Sequence, residues 1–308
     1  MSLTARKHKG MARVKVALHD ADRKGKRKKD IYPNLALAKI SAHQKAMGAD
    51  VEWFSPLLAA SYDQVYSSKV FTFSEDDDSL PDSVIKGGTG YHSPEVLSDE
   101  VEHICPDYDL YGKDCSMGFL TRGCSRNCDW CAVPKTEGNI RAHADIEEFT
   151  RHKKVVLMDN NVLAHSHGIT QIEKIARMGL EVDFNQGLDA RLIDDGVARR
   201  LGKLKWIRST RLACDHKGQI ESVRKAVELL RWHNCNPARV SCYVLVKDID
   251  DALERVRFLK GIYVDPFAQP YRDPDGTPPS KEQRNFARYV NKKQIFKTTV
   301  WDEYDPAA

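Results

Sequence analysis

Nowhere in the 308 residues do about 18 apolar residues run together, the length a membrane-spanning helix needs, so no membrane partner is expected. The N-terminal stretch MSLTARKHKG lacks an apolar core of its own, which argues against a signal peptide or anchor and for a cytoplasmic protein. A strong charge of one sign is also missing. The net charge is +4, too small by itself to imply a nucleic-acid partner. The eight cysteines are irregularly spaced, unlike the framework of a small secreted disulfide protein, and reduced thiols are expected. No second C-x2-C pair is present to close a four-cysteine zinc shell. What the chain does have is a 41% apolar composition and a length that suits two folded units better than one.

The densest chemistry lies in Gly118 to Pro134, GFLTRGCSRNCDWCAVP, where Cys124, Cys128 and Cys131 are spaced C-x3-C-x2-C. Three thiolates on one loop leave a tetrahedral shell one ligand short. Structural zinc sites close that shell with four ligands, whereas an iron–sulfur cubane can keep one iron free for a small molecule. Iron and sulfur are therefore expected over zinc. With Trp130 as the aromatic before the third cysteine and RGC ahead of the first, the loop resembles the cluster loop of the radical S-adenosylmethionine superfamily. The resemblance implies a [4Fe-4S] cluster on Cys124, Cys128 and Cys131, with the amino and carboxylate groups of S-adenosylmethionine on the fourth iron.

Before this loop, Val14–Leu18 reads as a buried strand, and the pattern opened by Pro33-Asn34 and ended by Gly48 reads as a helix. Val51–Phe54, Val70–Phe73 and Val84–Lys86 are strand candidates, and Glu95–Ile104 a last helix. That order predicts a small Rossmann-like parallel sheet over residues 1–115. In the superfamily it resembles the cobalamin-binding-type domain, but the signature D-x-H-x-x-G after the first strand is replaced by Asp20-Ala21-Asp22-Arg23, so cobalamin is not expected. The run DRKGKRKKD, Asp22–Asp30, is either a phosphate-attracting fringe or a solvated loop, and charge runs favour the loop. Cys105 and Cys115 lack close spacing and read as thiols rather than ligands of a second cluster.

After the loop, strands at Met117–Leu120, Val155–Met158, Val182–Phe184, Trp206–Ala213, Val240–Val246 and Tyr263–Gln269 alternate with helices, which predicts parallel strands over residues 116–275. Six units are too few for a full eight-stranded barrel. By resemblance they imply a partial (β/α)6 TIM-type barrel with its active site at the strands' carboxyl ends. Polar residues stand at those ends, and the resemblance gives them roles. Asp159, Asn160 and Asn161 face the methionine ammonium. In NQGLDARL, Asn185 and Gln186 reach the ribose and Arg191 the methionine carboxylate. Asp215 follows the fourth strand, and Trp130 lies beside the adenine. Each of these polar residues is also the type that caps helices or makes turns. Cys242 reads as a core residue, Cys214 is a weak cavity candidate, and His165 and His167 lack the i, i+4 spacing of a metal pair.

The tail, 276–308, is expected to hold a helix from Lys281 to about Val290 behind a Ser280/Gln283 capping box. Gln269, Tyr271 and Arg272 are the candidate substrate-facing residues. The resemblance implies reductive cleavage of S-adenosylmethionine to a 5′-deoxyadenosyl radical, an electron donor such as flavodoxin or ferredoxin, and hydrogen abstraction from a small-molecule or nucleic-acid substrate. The competing classes are a zinc-containing nucleic-acid-binding protein and a barrel that binds S-adenosylmethionine without radical chemistry.

Overall fold

The computed structural model describes residues 13–23, 32–93, 95–235, 240–273 and 276–306. Most of the basic run, with MSLTARKHKG and Pro274, lies outside the described residues. The chain is mixed α/β with parallel sheets and divides into two compact units, Met1–Gly112 and Lys113–Ala308.

In the first unit, β1 (Lys15–Asp20) fully buries Val16, Ala17 and Leu18, as suits a central parallel strand covered on both faces. Asn34 accepts a hydrogen bond from the Leu37 N–H at 3.2 Å and so starts α1 (Leu35–Ala46). With β2 (Asp50–Trp53), β3 (Gln64–Ser68) and β4 (Ile85–Gly87), the strands run parallel in the order β2-β1-β3-β4. The strand expected over Val70–Phe73 does not form. The Asp22 carboxylate accepts from the Val70 N–H at 2.7 Å and the Phe71 N–H at 3.3 Å, which takes those donors out of any ladder, and β3 supplies the strand instead. Of the helix expected over Glu95–Ile104, only α2 (Asp99–Glu102) is helical.

The second unit begins with β5 (Ser116–Gly118), β6 (Thr121–Arg122), α3 (Val133–Thr136), β7 (Arg141–Ala142) and α4 (Ile146–Phe149). Strand and helix then alternate through β8 (Lys154–Leu157), α5 (Ser166–Met178), β9 (Glu181–Phe184) and α6 (Asp195–Leu201). Next come β10 (Lys205–Trp206), β11 (Thr210–Ala213), α7 (Ile220–Trp232), β12 (Val240–Val246), α8 (Ile249–Gly261) and β13 (Asp265–Pro270). The unit ends with α9 (Lys281–Asn291) and α10 (Lys293–Thr298).

Its parallel strands form two sheets, β10-β9-β8-β5 and β11-β12-β13, and a parallel bridge between Leu188 and Leu212 runs from the segment after β9 to β11. The single strand expected over Trp206–Ala213 is therefore two. The chain leaves β9 once the Ile207 N–H has bonded the Val182 carbonyl at 3.0 Å, and rejoins its continuation where the Leu188 N–H meets the Arg211 carbonyl at 2.8 Å.

Helices α5 and α7 bury residues three and four apart, Ile172 and Ile175 on one, Val223, Ala226, Val227 and Leu230 on the other. Strand β12 buries Val240, Cys242, Val244 and Val246 and turns Ser241, Tyr243 and Leu245 to its other face. The Ser280/Gln283 capping box of α9 is formed at both ends. At that helix's far end the Asn291 side chain accepts from the Ala268 N–H at 2.8 Å and donates to the Ala268 carbonyl at 2.9 Å, acting as a one-residue extension of the sheet beyond β13. Among the described residues no helix is long and apolar enough to cross a membrane.

Candidate metal and cofactor site

The cysteine loop is closed at its base. Strands β6 and β7 pair antiparallel, Thr121 with Ala142 and Arg122 with Arg141, and the Cys124 N–H donates to the Gly138 carbonyl at 3.1 Å. Glu137 ties the same corner, accepting from the Gly123 N–H at 2.9 Å and from Arg122 Nε at 3.1 Å. Gly123 adopts φ 78°, and a Cβ there would lie 2.3 Å from the Asn139 carbonyl oxygen, so the residue before the first cysteine must be glycine. From below, the Asp159 carboxylate accepts from the Thr121 N–H at 2.6 Å, the Thr121 hydroxyl at 2.7 Å and the Leu120 N–H at 3.1 Å. Burial pushes the Asp159 carboxyl up, and these donors counter it. Its oxygens are thus committed to the entry of the loop.

The three thiols are half-buried and electrostatically close. Burial pushes Cys128 up first, and the neighbouring charges of Cys131 and Cys124 push it further, while Arg191 pulls it down. Cys131 is likewise raised by burial and by Cys124, Asp215 and Glu137. Burial and neighbouring negative charge thus favour the protonated form of Cys128 and Cys131, and ligating a metal requires release of those protons. Among the described residues no three His, Cys, Asp or Glu side chains converge where a single ion would sit. A four-iron cluster attaches each cysteine to a different iron, so its ligands ring a space rather than meet at a point.

Several of the expected residues assemble around the loop. Arg191 feels the charges of Cys128 and Asp215 as well as that of Asp189. The Trp130 and His216 rings meet edge to face, their centroids 5.8 Å apart. Asn161, 4% exposed, donates from Nδ2 toward Cys124 Sγ at 3.6 Å and toward Asp189 Oδ2 at 3.4 Å. Two side-chain atoms here, Asn160 Nδ2 and Asn161 Oδ1, are buried with no hydrogen-bond partner. Asp215 is raised by burial, with the Arg255 charge acting against it.

The centre of this arrangement is Asp189, which the sequence motif contains but does not single out. It accepts from Arg191 Nε at 2.7 Å and Nη2 at 2.9 Å and from Arg126 Nε at 3.1 Å. Burial acts to raise its carboxyl, but the two guanidiniums outweigh burial and hold it below the ordinary carboxylate range.

Asn185 and Gln186 begin the segment between β9 and Asp189. The Asn185 carbonyl accepts from the Tyr243 hydroxyl at 2.9 Å, and Gln186 is exposed. Of the candidate substrate-facing residues, Gln269 lines a cavity with Asn185. Tyr271 lies 5.3 Å beneath the Lys247 ammonium, and Arg272 donates to the Gly276 carbonyl at 3.4 Å.

The donor set fits an iron–sulfur cluster with one open iron. The donors are three thiols, and the polar groups beside them are of the kinds that bind a zwitterionic amino acid: the Arg191 guanidinium, the Asp215 carboxylate and two amides with unmet hydrogen-bonding capacity. The chain matches no protein-family model, and no curated protein matches it.

Proposed function

We propose that the chain is a radical S-adenosylmethionine enzyme. In this reading β5, β8, β9, β11, β12 and β13 are the six strands of a partial (β/α)6 barrel, with the chemistry at their carboxyl ends. What most supports it is the meeting of Cys124, Cys128 and Cys131 with Arg191, Asp215 and two buried side-chain atoms, Asn160 Nδ2 and Asn161 Oδ1, that have no hydrogen-bond partner.

Cys124, Cys128 and Cys131 would hold the [4Fe-4S] cluster. When bound, the cluster would supply the one-electron reduction that cleaves S-adenosylmethionine, with electrons from a donor such as flavodoxin or ferredoxin, for hydrogen abstraction from the substrate. Arg191 grips the methionine carboxylate with two hydrogen bonds, and Asp189 holds the guanidinium in register for it. Asn161 Oδ1 accepts from the amino group and Asn160 Nδ2 donates to an oxygen of the ligand. Trp130 covers the adenine, Asn185 and Gln186 serve the ribose, and Asp215 supplies negative charge opposite the sulfonium. Asp159 acts indirectly, by fixing Leu120 and Thr121 at the root of the loop.

Anaerobic reconstitution tests the reading. It requires about four irons per chain and 5′-deoxyadenosine after reduction by dithionite in the presence of S-adenosylmethionine. Cys124→Ala, Cys128→Ala and Cys131→Ala must each lose both, and turnover retained in any of them overturns the assignment. Zinc in place of iron would make the loop a structural zinc site. Iron and bound S-adenosylmethionine without 5′-deoxyadenosine would make the protein a non-radical binder.

A further inference from the structure

The face of β12 and β13 opposite the buried Cys242, Val244 and Ala268 has a chemistry of its own. Because side chains alternate along a strand, Ser241 and Tyr243 on β12 share a face with Asp265, Phe267 and Gln269 on β13, and the register sets Ser241 opposite Asp265 and Tyr243 opposite Phe267. These residues line a cavity of 570 Å³ that also reaches Asn185, Arg208 and Lys293. That size falls within the ~300–1,000 Å³ of small-molecule sites and is too small for a folded partner.

Three features of the cavity specify an occupant. Phe267 is 47% exposed although it sits mid-strand, and its ring meets Tyr243 edge to face at 72°, an accessible aromatic corner of the kind a planar group packs against. The Gln269 amide can both donate and accept, and the hydroxyls of Ser209 and Ser241, 2.8 Å apart, add two more groups of that kind. Cations line the far end. Arg208 and Lys293 are both exposed, and the Lys293 ion pair with Asp265 is solvent-accessible on both sides, the kind of surface pair that contributes little and exchanges readily.

We propose that this cavity is the substrate site and that its substrate is a 5′-mononucleotide. The base stacks on Phe267 against Tyr243, Gln269 and the two serines meet the base edge and ribose, and Arg208 and Lys293 hold the phosphate. As a substrate assignment this rests on the radical reading, whereas the binding it requires does not. Asn185, which lines the cavity, begins the segment that leads from β9 to Asp189 and Arg191.

The experiment is equilibrium binding of AMP, GMP, CMP and UMP to the full chain with S-adenosylmethionine held at saturation, alongside the matching nucleosides, inorganic phosphate and a short oligonucleotide. At least one mononucleotide should bind at one equivalent, with its nucleoside and phosphate each at least about tenfold weaker. Phe267→Ala should weaken binding about 10- to 100-fold, with Phe267→Trp restoring it, and Lys293→Ala should weaken it and flatten its salt dependence. Thermal unfolding of the Trp variant guards against a folding defect. The inference is overturned if no mononucleotide binds, or if binding is displaced by S-adenosylmethionine and indifferent to Phe267. It is equally overturned if phosphate or the oligonucleotide proves the better ligand. Nucleotide binding without 5′-deoxyadenosine would leave the site standing and remove the radical reading, and the reverse result would remove only the substrate.

Discussion

Both units place polar residues at the carboxyl ends of parallel strands, and they use them differently. In the first unit those residues bond one another. The Asp20 carboxylate accepts from the Tyr111 hydroxyl at 2.8 Å, Asn34 donates to Ser68 at 2.8 Å, and Ser67 bonds both His19 and Tyr91 at 2.8 Å. Lys69, 5% exposed, pairs with Asp76 at 2.9 Å. In the second unit Asp159 and Asp189 are similarly engaged, yet Asn160 Nδ2 and Asn161 Oδ1 stay buried without partners. An orphaned buried polar atom costs about 1–3 kcal/mol, so stability alone does not account for those two amides. In one set of strand ends the named polar groups satisfy one another. The other keeps capacity for a ligand.

The largest effect that would sharpen this contrast is on the cysteines. Cys128→Ala should bring iron per chain and 5′-deoxyadenosine to background, while Tyr111→Phe in the first unit leaves both unchanged; metal analysis and product chromatography read the pair. Asp189→Asn should weaken S-adenosylmethionine binding about 10- to 100-fold, since it releases the guanidiniums of Arg191 and Arg126 from charge-assisted bonds worth ~1.5–3 kcal/mol each. Equal weakening by Asp20→Asn would erase the distinction between the units.

Tyr111→Phe should in turn destabilise by about 1–3 kcal/mol, because it strips the buried Asp20 carboxylate of a donor, and denaturant unfolding measures that loss. Asn160→Ala should leave the melting temperature of the cofactor-free protein unchanged or raised and weaken S-adenosylmethionine binding by roughly 2- to 10-fold. A clear loss of stability instead would mean the amide serves the fold.

The smallest effect expected is on acid sensitivity. Burial acts to raise the Asp145 carboxyl, but Lys174 and the Glu147 N–H bring it down from 3.8 to about 2. A depressed folded-state value means its contribution is complete above about pH 4 and is lost as pH falls through 2. The ion pair is partly solvated, so the loss is small. Acid unfolding of Asp145→Asn should therefore be less steep than that of the parent.

Much of the second unit is legible in the sequence because its signals are local. Apolar residues three and four apart write α5 and α7, β-branched alternation writes β12, and Ser280 with Gln283 writes the start of α9. The misses have non-local causes. Gln64–Ser68 looks too polar for a buried strand, yet Ser67 and Ser68 are satisfied by His19, Tyr91 and Asn34, while the more apolar Val70–Phe73 loses its backbone donors to Asp22. Asp189 was hidden in plain view beside Arg191, since its partner Arg126 is 63 residues away in the chain. A period of two puts Tyr243 and Phe267 each on one face of its own strand, but only the register of β12 on β13 brings them together.

The sequence by itself determined the three-cysteine loop, the glycine before it and the alternation of strands and helices, because covalent spacing and side-chain periodicity are properties of neighbouring residues. Tertiary structure alone decided that Asp189 gathers two arginines, that one atom of each of two asparagine amides is buried without a partner, and that an aromatic corner faces a cavity with cations at its end. Those facts depend on which distant segments share a hydrogen bond or a face, and no local pattern along the chain encodes that choice.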